Sequence, residues 1–158
     1  GIEGSGMKYF EDFPAGTLID CGSRVVGKDE IVRFASEFDP QPFHIDDAAA
    51  AETHFGEVVA SGWHSGSIAM RMVVDKVLLD SACMGSPGME RVRWLKPLRP
   101  GTRVTTRFRV LEAEPSRTRP DRGRLKVVFE LSDDKDELLM DSVAIVLFGR
   151  RPASQAGA

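Results

Sequence analysis

Apolar and polar positions change their rhythm near the middle of the chain. Before residue 85 the apolar residues fall at helical spacing; after it they alternate one by one. In the first half, 17–26 reads as a strand that Gly27 breaks. Ile31, Val32, Phe34, Ala35 and Phe38 then mark an amphipathic helix over 29–38. That helix is predicted to stop at Asp39, because a residue before proline is pushed out of the α region. Pro40 and Pro42 stiffen the connection that follows. Asp46 and Asp47 suit the positive N-terminal end of a short helix over 48–51. Segment 61–80, opened by Ser61 or Gly62, is apolar on nearly every side from Trp63 to Leu79, the mark of a buried helix.

Period two begins after Gly85-Ser86-Pro87-Gly88. Val92 and Trp94, then Val104, Thr106, Phe108 and Val110, then Leu125, Val127, Phe129 and Leu131 alternate with polar residues. These are strands with one buried and one wet face. Val143, Ile145 and Leu147 have apolar neighbours as well, so that strand is predicted to be central or at an interface. Residues 133–136 form a turn. One long buried helix, four antiparallel strands and an earlier fifth make an α+β protein: a curved sheet of about five strands wrapped around one helix, the hot-dog architecture. Such a sheet leaves edges and apolar surface, so a homodimer or higher homo-oligomer is expected.

At 158 residues the chain is read as a single domain over 7–151. Residues 1–6 are expected to be a vector-derived remnant ahead of Met7, and 152–158 a fraying tail. A formal net charge of -3 argues against a nucleic-acid module. No apolar run approaches the ~18 residues of a membrane span. Cys21 and Cys83 read as reduced thiols, and a cytoplasmic location follows as the expectation. No metal-spaced cluster, Gly-rich phosphate loop or G-x-S-x-G elbow is present.

The histidines are His44, His54 and His64. His44 stands five positions after Asp39 on a segment stiffened by two prolines, so a carboxylate and an imidazole can share one water and exchange protons near neutral pH. On spacing alone an equal reading stands beside this one: Asp39 caps a helix and His44 bonds to backbone. Ser61-Gly62 opens the central helix, where backbone N–H groups can hold a developing enolate oxygen; the plainer reading of Gly62 is a helix-start residue. Arg91, Arg93, Lys96 and Arg99 can hold carrier phosphates or simply form a solvated strand face. Arg117, Arg119, Arg122 and Arg124 are assigned to a long surface loop. Phe38, Phe43 and Trp63 can narrow a pocket.

Together these segments resemble the MaoC-like dehydratases, the hot-dog group that includes (R)-specific enoyl-CoA hydratases. The family signature is an aromatic or apolar helix end, then Gly-Asp-x-Asn-Pro-apolar-His. Here it stands as Phe38-Asp39-Pro40-Gln41-Pro42-Phe43-His44, with Phe38 for the family Gly and Gln41 for the family Asn. Tyr9-Phe10-Glu11-Asp12-Phe13-Pro14-Ala15-Gly16, Ala60-Ser61-Gly62-Trp63-His64 and Arg93-Trp94-Leu95-Lys96-Pro97-Leu98-Arg99-Pro100-Gly101 extend the likeness over nearly the whole chain.

The resemblance implies syn addition of water to a trans-2-enoyl thioester of CoA or an acyl-carrier protein. Asp39 and His44 would be the acid–base pair and Gly62 the oxyanion donor. Phe43, Ser61, Trp63, Arg93 and Lys96 would contact substrate, and no metal or redox cofactor is implied. A hot-dog thioesterase and a non-catalytic acyl-thioester-binding module share the fold. The former draws its carboxylate from the central helix, where Asp75 is the available one.

Overall fold

A computed structural model describes residues 6–153. The elements in chain order are a 3-10 turn at Phe10–Asp12, β1 (Leu18–Val26), α1 (Lys28–Phe38), α2 (Pro42–Ile45), α3 (Asp47–Ala51) and α4 (Gly62–Val73). A π-helical turn at Val74–Leu78 follows, then β2 (Gly88–Trp94), β3 (Thr102–Pro115), β4 (Arg122–Ser132) and β5 (Leu138–Gly149). The strands form one antiparallel sheet in the order β1-β3-β4-β5-β2. This is the curved five-stranded sheet and helix of the hot-dog fold.

Alternation along β3 and β4 turns Val104, Phe108, Val110, Leu125, Val127 and Leu131 to one face, where all are buried. Ile68, Met72 and Val73 of α4 join the same core. Each such side chain contributes about 1.5–3 kcal/mol by leaving water. Thr106, also buried, donates its hydroxyl to the Met72 sulfur at 3.2 Å, so this buried polar group of the strand face is satisfied. At one end Phe13 packs against Phe108 and Phe148. The opposite faces of β3 and β4 carry ion pairs such as Arg109–Glu130 and Arg107–Asp136.

β5 lies between β4 and β2 and is buried on both faces, as its apolar pattern predicts. β1 carries a bulge between Asp20 and Ser23, where Gly22 takes a positive φ of 88° and its N–H donates to Asp20 Oδ1.

Three readings need correction. The central helix is not buried all round: Trp63 and Met70 are exposed while His64, Ser65, Ile68, Ala69, Met72 and Val73 face inward. One sheet covers only one side of a helix. Nor is the helix a single α-helix to residue 80, because it widens into the π turn closed by Leu79 N–H to Val74 O at 2.9 Å, with Val73 and Val77 both kept in the core. Finally, Arg122 and Arg124 belong to β4, flanking the buried Gly123 and Leu125, so the alternation starts earlier than the arginine-rich loop suggests.

Candidate active site

Three short segments converge where α1 ends. Asp39 is the C-cap of α1, its N–H bonding Ala35 O at 2.8 Å. Two residues on, Gln41 caps α2 and Pro42 occupies its first turn, where a missing N–H costs nothing. His44 therefore sits on a helical turn, not on an extended connection. A four-residue helix is too short to leave a periodic signal in the sequence. The third segment, 58–60, is held beside Leu98 by Ala60 N–H to Leu98 O at 2.9 Å and leads into Ser61, the N-cap of α4.

The side chains these segments bring together define a small polar centre in apolar surroundings. His44 is buried, with Nδ1 2.6 Å from the Val59 carbonyl oxygen. A carbonyl only accepts, so Nδ1 carries the proton and donates. Nε2 then faces Asp39 Oδ2 at 3.3 Å. Asp39 accepts from Ser61 Oγ at Oδ2 and from Gln41 Nε2 at Oδ1, each at 2.7 Å. Burial pushes the Asp39 carboxyl up, but those two hydrogen bonds and the His44 charge outweigh it and hold it below the usual carboxylate range. Asp39 is thus an ionised acceptor at neutral pH. A neutral His44 would set a lone pair against it, so the pair calls for one proton between them: on the ring, or from a donor that bridges both.

Gly62 is the first residue of α4. The intrahelical bonds begin later, at His64 and Ser65, both to Ser61 O, while the Trp63 N–H is taken by Ser61 Oγ. The Gly62 N–H therefore lies at the positive end of the helix, ahead of its first internal bond. Glycine leaves room there for a neighbouring ring. A Cβ at position 62 would stand 2.5 Å from Trp94 Cε2, and the Trp94 indole N–H donates to Gly62 O at 2.8 Å. Trp63 meets Trp94 edge-on with ring centroids 5.2 Å apart.

Of the other residues singled out in the sequence, Phe43 lies beside the pair and the rest lie elsewhere. Phe43 packs against the His44 and Phe55 rings. Arg93 forks onto Asp141 at 3.0 and 2.5 Å, and Lys96 pairs with Glu137 and Asp133. Both cations are thus engaged within the chain. Asp75 sits in the π turn, bonded to Arg71 and more than half exposed, away from any acid–base partner. Gln41, Val59 and Trp94 complete the site: Gln41 stood out in the sequence as the departure from the family Asn and Trp94 as an alternating strand residue, but nothing there marked their bonds to Asp39 and Gly62, and Val59, which acts through its backbone, carried no signal.

Several comparisons bear on this arrangement. Residues 14–129 match the family described as MaoC like domain. The Bacillus subtilis protein YdeM, itself uncharacterised, is 28% identical over 140 residues, covering 89% of this chain and 98% of its own length. The crystal structure of a MaoC-like dehydratase from Rhodospirillum rubrum is 35% identical, covers 91% of this chain and 98% of that one, and superposes with a TM-score of 0.84. The unliganded R-hydratase PhaJ1 from Pseudomonas aeruginosa shares the fold at 21% identity and a TM-score of 0.71, over 90% of this chain and 86% of its own. With β1, the Asp39–His44 segment, the central helix, β2 and β3 all inside the matched region, the chain belongs to the MaoC-like domain family.

Proposed function

We propose that this protein is a hydro-lyase: an (R)-specific enoyl-thioester hydratase that also runs as a 3-hydroxyacyl-thioester dehydratase. The observation that carries this reading is the Asp39–His44 geometry. An ionised carboxylate and an imidazole of fixed tautomer face each other at 3.3 Å, with Asp39 bonded to Ser61, the N-cap of α4. The family membership and the R-hydratase among the structural neighbours support it.

In this mechanism a water donates one hydrogen to Asp39 and the other to His44 Nε2, leaving an oxygen lone pair for the β-carbon of the enoyl thioester. The new O–C bond forms as one O–H bond breaks and its proton enters the pair. The C=C electrons move to the thioester oxygen as an enolate, which the Gly62 N–H stabilises. A proton from the pair then reaches the α-carbon on the same face, and the pair returns to its starting state. The two groups act as one coupled unit. Gln41 and Ser61 hold the carboxylate in place by occupying one lone pair on each oxygen.

A homodimer accompanies this reading. β2 is an edge strand with half of its backbone groups unpaired, and Trp63, Met70, Met89, Trp94 and Leu95 are exposed on it and on the outer side of α4. The carrier is a CoA or acyl-carrier-protein thioester, and the compartment is the cytoplasm. Crotonyl-CoA provides the test: the expected result is loss of the enoyl absorbance without release of free thiol. Released thiol means a thioesterase instead, and binding without turnover means a carrier-binding module.

A further inference from the structure

α1 carries a second carboxylate that meets a second histidine, and neither belongs to the centre described above. His64 is 3% exposed and its Nε2 lies 2.9 Å from Glu30 Oε2. The other Glu30 oxygen accepts from Arg24 of β1. The Phe34 ring stacks on the His64 ring at 4.6 Å with only 8° between the planes. His64 Nδ1 is buried and has no hydrogen-bond partner. Arg33 and Glu37 from α1, and Ser67 and Arg71 from α4, complete the polar groups around this pair, on the wall of a cavity of about 280 Å³.

This couple cannot itself transfer protons to a substrate. Nε2 is committed to Glu30, and Nδ1 is sealed in the interior. The unpartnered Nδ1 also fixes the ring's state: a neutral ring with its hydrogen on Nε2 satisfies Glu30, whereas protonation would bury an N–H with no acceptor. The pair is therefore a fixed strut between two elements. Its place in the fold gives it a task. One turn of α4, from Ser61 to His64, is gripped at three successive points of α1 and its cap: Glu30 and Phe34 hold His64, and Asp39 holds Ser61.

We propose that Glu30 and His64 are positioning residues for the reaction proposed above: their tie sets how α1 lies against α4, and so where the Asp39 carboxylate stands relative to His44 and the Gly62 N–H. This inference rests on the hydratase reading for its kinetic test, but its geometric content does not.

The experiment compares His64→Leu, which fills the space without a donor, with His64→Gln, whose amide can still donate to Glu30. Thermal melts establish that each is folded. With crotonyl-CoA, His64→Leu is expected to lower kcat about tenfold or more with KM changed less than about twofold, and His64→Gln to recover to within about threefold, since small misplacements of reacting groups are costly. An unchanged kcat in His64→Leu, or a Gln variant no better than Leu, overturns the proposal. If His64→Leu does not melt cooperatively, His64→Asn, whose shorter amide stops short of Glu30, takes its place in the comparison. If the native chain does not hydrate crotonyl-CoA, the hydratase reading fails by itself. The positioning role is then read from the ¹⁵N resonances of the His44 ring: movement in His64→Leu and return in His64→Gln support it, and resonances that stay put refute it.

Discussion

The Ser61 hydroxyl donates to Asp39 Oδ2 at 2.7 Å across 22 residues of sequence. That bond joins the end of α1 to the start of α4. It also leaves the carboxylate with its charge directed at His44, which lies 3.3 Å away. If this junction is the reacting centre, Asp39→Asn and His44→Gln each lower turnover about 100-fold or more, as loss of a positioned proton-transfer group predicts. Steady-state hydration of crotonyl-CoA measures it, and near-native rates in either variant would remove both residues from the mechanism.

Gly62→Ala tests the fit of Trp94. The added methyl would enter the indole, so Trp94 must swing outward and give up its bond to Gly62 O. Trp94 is nearly half exposed, so the fold is expected to survive with a loss of about 1–3 kcal/mol. Tryptophan emission moves to longer wavelength as the ring becomes wetter. In a Trp94→Ala background the same substitution costs measurably less, because the two residues are coupled. Additive losses would show that the crowding does not govern this site.

Acid stability follows from His64. Burial, together with the charges of Arg24 and Arg33, lowers this ring below its ordinary 6.5 and outweighs the Glu30 carboxylate. Between 6.5 and that lower value the unfolded chain binds a proton that the folded chain refuses. Stability therefore falls as pH drops below about 6.5. Melting temperatures recorded from about pH 7.5 down to about pH 5.5 are expected to decline, and His64→Gln to decline less. Equal slopes in the two proteins count against the assignment.

Cys21 is predicted to be chemically silent in the native protein. Burial, with the Asp20 charge beside it, pushes its thiol up to about 11, and only thiolate attacks. Titration with an aromatic disulfide at mildly alkaline pH is expected to leave Cys21 unmodified until denaturant is added, whereas the half-buried Cys83 reacts first. Rapid native labelling of Cys21 would mean that β1 opens at its bulge.

What the sequence revealed depends on the distance over which each feature acts. Period-two stretches in β3 and β4 announced themselves because each strand has one buried face, and β5 because it is buried on both. In β2 the strand was legible from Val92 and Trp94 but its expected buried face is absent: Val92 is half-buried, Trp94 is exposed, and the rest of this edge strand is exposed on both sides. The Asp39–His44 pair could be picked out because its members are five residues apart on a proline-stiffened segment, although spacing alone left capping and catalysis equal and the family resemblance favoured the second. Glu30 and His64 are 34 residues apart, and only the packing of α1 on α4 makes them neighbours. The arginines and lysine of 91–99 looked available for a ligand because sequence cannot show that Asp141 stands across from Arg91 and Arg93, Glu137 and Asp133 from Lys96, and Glu57 from Arg99.

The group that fixes the His44 tautomer is a main-chain carbonyl, that of Val59. Every amino acid at position 59 supplies the same oxygen, so no side-chain replacement deletes this part of the site. A mutational scan of position 59 would report the volume tolerated by a residue that is 1% exposed, and would stay blind to the acceptor beside it. The chemistry at His44 is in that respect insulated from sequence drift: it depends on where the backbone runs, and only the packing that holds segment 58–60 in place is open to selection.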